Sequence, residues 1–203
     1  CANLIYLNNV LLNNTFKSFT YFSSIRVYSS NKSSRESDII NCNLFEKGVY
    51  FKNLKLAAES LCLQINNPKV RIIRLSNLYG NYFDKQIYLM PTILRNFKKN
   101  KKINLIISPN SKKNYINIDD AIKISIQIAK KGKFRIYNVA SKSSIKIGQI
   151  FDTLKKIKKI RLKLFKNCKV VHEPKINIDR IKKEFNFKEK QSFNKSFFNL
   201  IKD

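Results

Sequence analysis

Residues 50–80 read YFKNLKLAAESLCLQINNPKVRIIRLSNLYG. Two periodicities meet in this stretch. In its first half Leu54, Ala58, Leu61 and Ile65 recur at helical spacing and predict a helix over 51–65 with one apolar stripe. In its second half Val70, Ile72, Ile73 and Leu75 crowd into a short β-branched run, bounded by Asn66-Asn67-Pro68 before and Asn77-Leu78-Tyr79-Gly80 after. An apolar run of that length between turn residues is the pattern of a strand covered on both faces. A helix that passes through a short turn into a buried strand is half of an α/β repeat.

The alternation continues outward in both directions. SFTYFSS (18–24) and FRIYNVA (134–140) are further buried-strand candidates, and VRIIRLSN extends the central one over 70–77. Helices are predicted at 3–14, 119–130 and 145–160. Asp119 and Asp120 put acidic groups at the positive end of one of these, and Ser143 and Ser144 are candidate caps for the next. The tract 31–48 is loop-like, as is the basic stretch 97–114 apart from a possible strand at INLII (103–107). DRIKKEFNF (179–187) reads as a short amphipathic helix. The expected fold class is therefore α/β, with a parallel sheet covered on both faces.

Composition bounds the function. At 203 residues the chain has room for one domain with a sizeable core, or a little more. Its net charge is +28, from 41 Lys and Arg against 13 Asp and Glu. So basic a chain raises a nucleic-acid or anionic-surface reading. Lys far outnumbers Arg, however, and is spread along the chain together with Ile, Asn, Phe and Tyr, residues that share its A/T-rich codons. A biased genome yields the same excess, so nucleic-acid binding is disfavoured. The nearest approach to a binding face, RNFKKNKKIN (95–104), fits equally well as a solvated helix end and loop. The field still attracts anionic small molecules.

Cys1, Cys42, Cys62 and Cys168 show neither a paired motif nor metal-ligand spacing, and His172 is the single histidine. Reduced thiols and a cytoplasmic setting follow. No apolar run reaches the ~18 residues of a membrane span, and no basic leader opens the chain. The start at Cys1 instead of Met marks an expected fragment or processed product.

Several segments, in order, resemble the extended short-chain dehydrogenase/reductase family, the NAD-dependent epimerases and dehydratases of nucleotide sugars. FTYFSSIRVYSS (19–30) resembles its strand ending in Ser-Ser, and FKNLKLAAES (51–60) its Y-x-x-x-K helix. VRIIRLSNLYG (70–80) is similar to its Arg-x-x-Asn-Val-Tyr-Gly strand and turn. KKNYINIDDAIKISIQIA (112–129), YNVASKSSIKIGQI (137–150) and the closing NIDRIKKEFNFKEK (177–190) complete the resemblance over nearly the whole chain.

The resemblance implies the later half of a doubly wound, Rossmann-like sheet with a small C-terminal substrate domain. Residues 1–80 and 114–142 would be a partial NAD(P)-binding domain; 81–113 and 143–203 would grip the nucleotide sugar. The only glycines are Gly48, Gly80, Gly132 and Gly148, from which no Gly-rich phosphate turn can be built. That turn would lie upstream of Cys1. NAD or NADP is expected in the intact parent and none in this chain alone, which with a bare parallel edge is expected to fold poorly. A homodimer through paired helices is implied, one of them 51–65.

Hydride transfer from a sugar carbinol to nicotinamide needs a base for the hydroxyl proton. The family uses a Tyr acidified by a Lys, beside a Ser or Thr that holds the reacting oxygen. Ser24 matches the serine, and Lys55 matches the lysine that also holds the nicotinamide ribose. Ser23 and Leu75 fall at cofactor positions, and Asn77 and Lys113 at nucleotide-sugar positions. Lys113 stands where the family often has Arg and loses that residue's bidentate fork. Ile25 and Arg26 follow Ser24 where dehydratases usually carry an acidic pair, which weighs against dehydration. Asp119 and Asp120 read as structural.

The base itself is out of register. Four positions before Lys55 stands Phe51, which has no proton to give. Tyr50 lies five positions before it, about 140° round a regular helix. A helix beginning after residue 50 with Tyr50 turned inward, aided by the backbone freedom of Gly48, would restore the base, as would a π-bulge. Otherwise the chain is a catalytically inactive or altered relative that retains the fold, or position 51 is a sequence error.

Overall fold

The structure, a computed structural model, describes residues 2–80, 88–99 and 102–202. In chain order the elements begin with α1 (Ala2–Asn13), β1 (Phe19–Ser24), a 3-10 turn (Ile25–Tyr28), α2 (Val49–Gln64), β2 (Val70–Leu75) and β3 (Asn77–Tyr79). They continue with α3 (Leu89–Lys98), β4 (Ile103–Ile107), β5 (Lys112–Asn117), α4 (Ile118–Lys131), β6 (Ile136–Val139) and β7 (Ser144–Lys146). α5 (Ile147–Lys155), β8 (Leu162–Lys169), α6 (Asp179–Phe185) and α7 (Phe193–Lys202) close the chain. Two compact units result. The first comprises Cys1–Ser76, Ala121–Lys142 and Pro174–Lys188; the second comprises Asn77–Asp120, Ser143–Glu173 and Glu189–Asp203.

The first unit is built on a parallel sheet in the order β1-β2-β6. Registers align the strand ends, Ser24 beside Leu75 and Leu75 beside Val139. β2 is central, and Val70, Ile72 and Ile73 are fully buried, as a strand covered on both faces requires. Leu7 and Leu11 of α1 and Ala58 and Cys62 of α2 pack onto it. Two arginines tie helix ends to the sheet. Arg71 donates to the Gly132 and Ala129 carbonyls at the end of α4, and Arg135 to the Val70 and Cys62 carbonyls. Cations there satisfy orphan carbonyls and suit the negative end of the helix. Among the described residues no strand pairs with the outer edge of β1, where Phe22 is 48 % exposed.

The loop 29–48 is fastened to α2 by a lysine that sequence reasoning passed over. Lys52 is buried, its ammonium bonded to the Asn41 carbonyl and Ser30 hydroxyl and ion-paired with Glu46. Lys52→Ala leaves those acceptors without their cation. We expect a loss of ~1.5–3 kcal/mol, the usual worth of hydrogen bonds to a charged group. Denaturant titration would read the loss and limited proteolysis would locate it at 29–48. Unchanged stability would show that solvent replaces the ammonium freely.

The second unit holds β3-β5-β7, with β3 parallel and β7 antiparallel to β5, and the parallel pair β4-β8. Its core gathers Ile93 and Phe97 of α3, Ile150 and Leu154 of α5, and Phe193 and Phe197 of α7. Phe193 stacks on Phe197 and meets Tyr79 edge-on. Gly80 is fixed by crowding, since a Cβ there would lie 2.5 Å from Ile118 Cγ2.

One local expectation is corrected. The helix predicted over 145–160 is a short strand followed by α5, so Ser144 opens β7 and does not cap. The cap position falls to Lys146, whose backbone N–H donates to the Gln149 side chain. α6 belongs to the first unit: Arg180 bonds the Ile136 carbonyl and Glu184 accepts from the Tyr137 hydroxyl. Residues 77–80 and 114–120 lie in the second unit.

Candidate active site

The aligned ends of β1, β2 and β6 stand over a buried polar network. Arg74, on β2, grips Glu59 of α2 through Nε and Nη2, the latter 2.7 Å from Glu59 Oε2. Its Nη1 donates to the Tyr28 hydroxyl at 2.7 Å, and that hydroxyl donates onward to Asn138 Oδ1 at 3.0 Å. Ser23 donates to Glu59 from the strand side. Asn138 holds the loop through the Ser34 and Asn177 carbonyls, and its N–H donates to Glu36. Every member except Asn177 is buried. Ser23, expected at a cofactor position, is thus placed inside this network, and Leu75 sits between Ser24 and Val139 in the sheet.

Ser24 ends β1 with extended backbone, and its hydroxyl accepts from the Arg26 N–H at 3.2 Å, capping the 3-10 turn. An accepting hydroxyl keeps its own proton to donate. Lys55 reaches across from α2 and donates to the Phe22 carbonyl at 2.8 Å, two residues from Ser24 on the same strand. Its ammonium lies 5.0 Å from the Tyr21 ring centroid and 5.8 Å from that of Phe51. Arg26 approaches Phe51 as well, at 5.5 Å. Phe51 therefore sits between two cations, Lys55 and Arg26.

Neither route that would turn Tyr50 inward is present. α2 begins at Val49, directly after Gly48 at φ +87°, and the Lys52 N–H bonds the Gly48 carbonyl as in a regular α turn. Tyr50 is consequently inside the first turn and 70 % exposed, against 39 % for Phe51. Tyr21 and Tyr28 of this unit are shifted the wrong way for a base. Burial pushes Tyr21 up to about 12, with Cys62 and Glu59 adding to it. Burial also raises Tyr28, outweighing Arg74 beside it. Lys55 is lowered, first by its own burial and against the pull of Glu59.

These shifts set a pH dependence. Cys62 is raised by burial to about 11 from 9.0, and Tyr21 and Tyr137 to about 12 from 10.0. A group whose folded value is raised stabilises the fold below its unfolded value and loses that contribution as pH climbs to the folded one. Stability should accordingly fall from about pH 9, first through Cys62 and then through the tyrosines. Melting curves taken across that range test this, and Cys62→Ala should delay the onset. A flat profile to pH ~11 would contradict it.

In the second unit Asn77 and Lys113 converge on one carboxylate. Asn77 Nδ2 lies 3.0 and 3.1 Å from the two oxygens of Glu173, and Lys113 Nζ lies 3.1 Å from Oε1. The Asn114 N–H donates to Oε2 at 2.8 Å. The Glu173 backbone is pinned in turn, its N–H on the Lys112 carbonyl. Sequence reasoning singled out two of these donors and missed the acceptor.

Lys55 stands beside the end of β1, its ammonium held by the Phe22 carbonyl. Among the described residues no glycine-rich turn leads from a strand into a helix, because Gly48 precedes α2 after a loop, Gly80 follows β3, Gly132 follows α4 and Gly148 lies in α5. Among the described residues no group of His, Cys, Asp and Glu could hold a metal ion, and no helix is long and apolar enough to cross a membrane.

The profile of the NAD dependent epimerase/dehydratase family matches residues 4–140, so the chain belongs to that family. Its fold is that of UDP-glucuronic acid 4-epimerase from Bacillus cereus, solved with UDP-glucuronic acid and NAD, at TM-score 0.81 and 19% identity over 98% of this chain and 67% of that one. It is also similar to dTDP-glucose 4,6-dehydratase from Bacillus anthracis, solved with NAD, at TM-score 0.78 and 17% identity over 98% and 65%. A tyrosine-to-phenylalanine mutant of the B. cereus epimerase, with UDP-4-deoxy-4-fluoro-glucuronic acid and NAD, matches at TM-score 0.77 and 18% identity over 98% and 65%. The chain thus spans about two thirds of the length of these solved chains. No curated protein sequence matches it.

Proposed function

We propose that the chain is the sugar-side part of an NAD(P)-dependent nucleotide-sugar enzyme, of the epimerase type, whose site was built for hydride transfer between a sugar carbinol and nicotinamide. The observation that carries this is the Lys55 ammonium on the Phe22 carbonyl, two residues before Ser24 at the end of one parallel strand, with the Phe51 ring 5.8 Å from it. When bound, the dinucleotide supplies the hydride acceptor. The chain's own residues bind and orient: the Ser24 hydroxyl donates to the reacting sugar oxygen and fixes its position. Lys55 exchanges the Phe22 carbonyl for a ribose hydroxyl and keeps a positive field over the site. Asn77 and Lys113 meet the nucleotide's phosphates. Arg26, where a dehydratase carries acid, favours epimerisation or reduction over elimination.

A second reading is favoured by one observation. With Phe51 facing Lys55 and Tyr50 in solvent, the position one helical turn before Lys55 offers no phenol to take the hydroxyl proton. It then binds a nucleotide sugar without turning it over. The ligand-bound tyrosine-to-phenylalanine mutant of the B. cereus epimerase supports this, since that protein keeps NAD and a sugar nucleotide after such a change.

Calorimetric titration of the product of the complete reading frame with UDP-, dTDP- and GDP-sugars tests the common core of both readings. Saturable binding of at least one class, lost on Asn77→Leu, is expected. Failure of all of them beside tight, salt-sensitive binding of single-stranded RNA would overturn it in favour of a basic nucleic-acid-binding protein.

A further inference from the structure

The donors around Glu173 point to a use that the reaction does not need. Asn77 Nδ2, the Asn114 N–H and Lys113 Nζ all aim at one carboxylate, and the side chains of Lys113 and Glu173 are only 13% and 12% exposed. Two donors of that set are the residues proposed to meet phosphate. An amide, a backbone N–H and an ammonium around one point form an anion site, and a carboxylate offers them two oxygens much as a phosphate would. We propose that this is an anion site already filled by the chain's own Glu173, which a nucleotide's diphosphate must displace in order to bind. The inference rests on the nucleotide-sugar reading for its ligand, but not for the site itself.

The physical cost follows directly. A diphosphate entering with Glu173 in place meets a like charge beside the ammonium that should receive it. To bind, it must send the carboxylate to solvent and take over its hydrogen bonds. The backbone need not move, because Glu173 is anchored by its own N–H on Lys112 and by the neighbouring bond from Lys112 to the Val171 carbonyl. Side-chain rotation is enough. The arrangement lowers affinity for any bare anion and spares ligands whose other contacts compensate, so inorganic anions at cellular concentration are kept out.

Glu173→Gln removes the competing charge and leaves the shape. Pyrophosphate titrated into the complete-frame protein is expected to bind Glu173→Gln at least about tenfold more tightly than wild type, since a charged hydrogen-bond set no longer has to be broken. Glu173→Asp, with its carboxylate one methylene back, should fall between them. Lys113→Gln on the Glu173→Gln background should cancel the gain. In wild type, the Asn114 amide signal should move only at pyrophosphate levels well above those that move it in Glu173→Gln. Equal or weaker binding by Glu173→Gln, with its fold intact by the same spectra, would overturn the proposal and make Glu173 a positioning residue. The two claims separate cleanly. Tighter pyrophosphate binding with no nucleotide sugar bound supports the filled anion site and sinks the enzyme reading. Nucleotide sugars bound alike by both proteins, with no gain for pyrophosphate, do the reverse.

Discussion

Arg74→Leu is expected to destabilise the first unit by ~3–5 kcal/mol, enough to unfold many domains of this size. Arg74 and Glu59 are 4% exposed each, with three hydrogen bonds between them. Removing the guanidinium strands a carboxylate inside the unit, and the Tyr28 hydroxyl loses its donor in the same step. The pair itself need not be strongly stabilising, because each ion gave up its hydration to be there. The double variant Glu59→Leu/Arg74→Leu should therefore recover part of the loss, leaving only Ser23 and Tyr28 short of partners. Urea titration of the three proteins measures both effects. A single variant within ~1 kcal/mol of wild type would mean that water reaches Glu59 and that the network is not dry.

Phe51→Tyr is expected to create or strongly raise turnover. The new hydroxyl would extend from a ring that already has the Lys55 ammonium 5.8 Å and the Arg26 guanidinium 5.5 Å from its centroid. Two cations at that range favour the phenolate and bring the phenol towards a working base. General base catalysis contributes about 10²–10⁴-fold, and that is the gain expected in the rate of reduced-nicotinamide formation with the cognate sugar nucleotide. Because Phe51 is 39 % exposed, the hydroxyl can be solvated and stability should hardly change. Tyr50→Phe should leave the rate of either protein as it was, and Ser24→Ala should lower that of Phe51→Tyr. An unchanged rate in a variant that still binds its sugar would show that more than the phenol has been lost.

The two changes explain why the sequence was legible in some places and closed in others. β2 and α2 could be read because a strand buried on both faces and a helix with one apolar stripe leave distinct periods in the chain. β5 and β8 could not, since KKNYIN and LKLFKNCK place lysines among their apolar residues and resemble the solvated stretches beside them. α7 was not legible although Phe193, Phe197, Leu200 and Ile201 form one apolar face, because its polar flanks resemble the loop before it, whereas α6 shows its pattern within DRIKKEF and binds β6 through Arg180 and Glu184. At the site, Ser24, Phe51 and Lys55 were singled out because their segments, FTYFSSIRVYSS and FKNLKLAAES, resemble the family's motifs. The Arg74–Glu59 pair and the Glu173 carboxylate were not, because each joins residues whose proximity is created only by the fold. Glu173 lies 96 positions from Asn77, and no local pattern connects them.

The central claim is that Ser24, position 51 and Lys55 surround the reacting carbon of a nucleotide sugar while Tyr50 stays outside. A crystal structure of the complete-frame protein with dinucleotide and a sugar nucleotide tests it most directly. The account predicts Ser24 Oγ within hydrogen-bond distance of the sugar's reacting oxygen, the Phe51 ring facing that oxygen with no polar atom to offer it, and Lys55 on the nicotinamide ribose. A sugar bound away from the end of β1, or the Tyr50 hydroxyl swung in to meet the sugar oxygen, would contradict it.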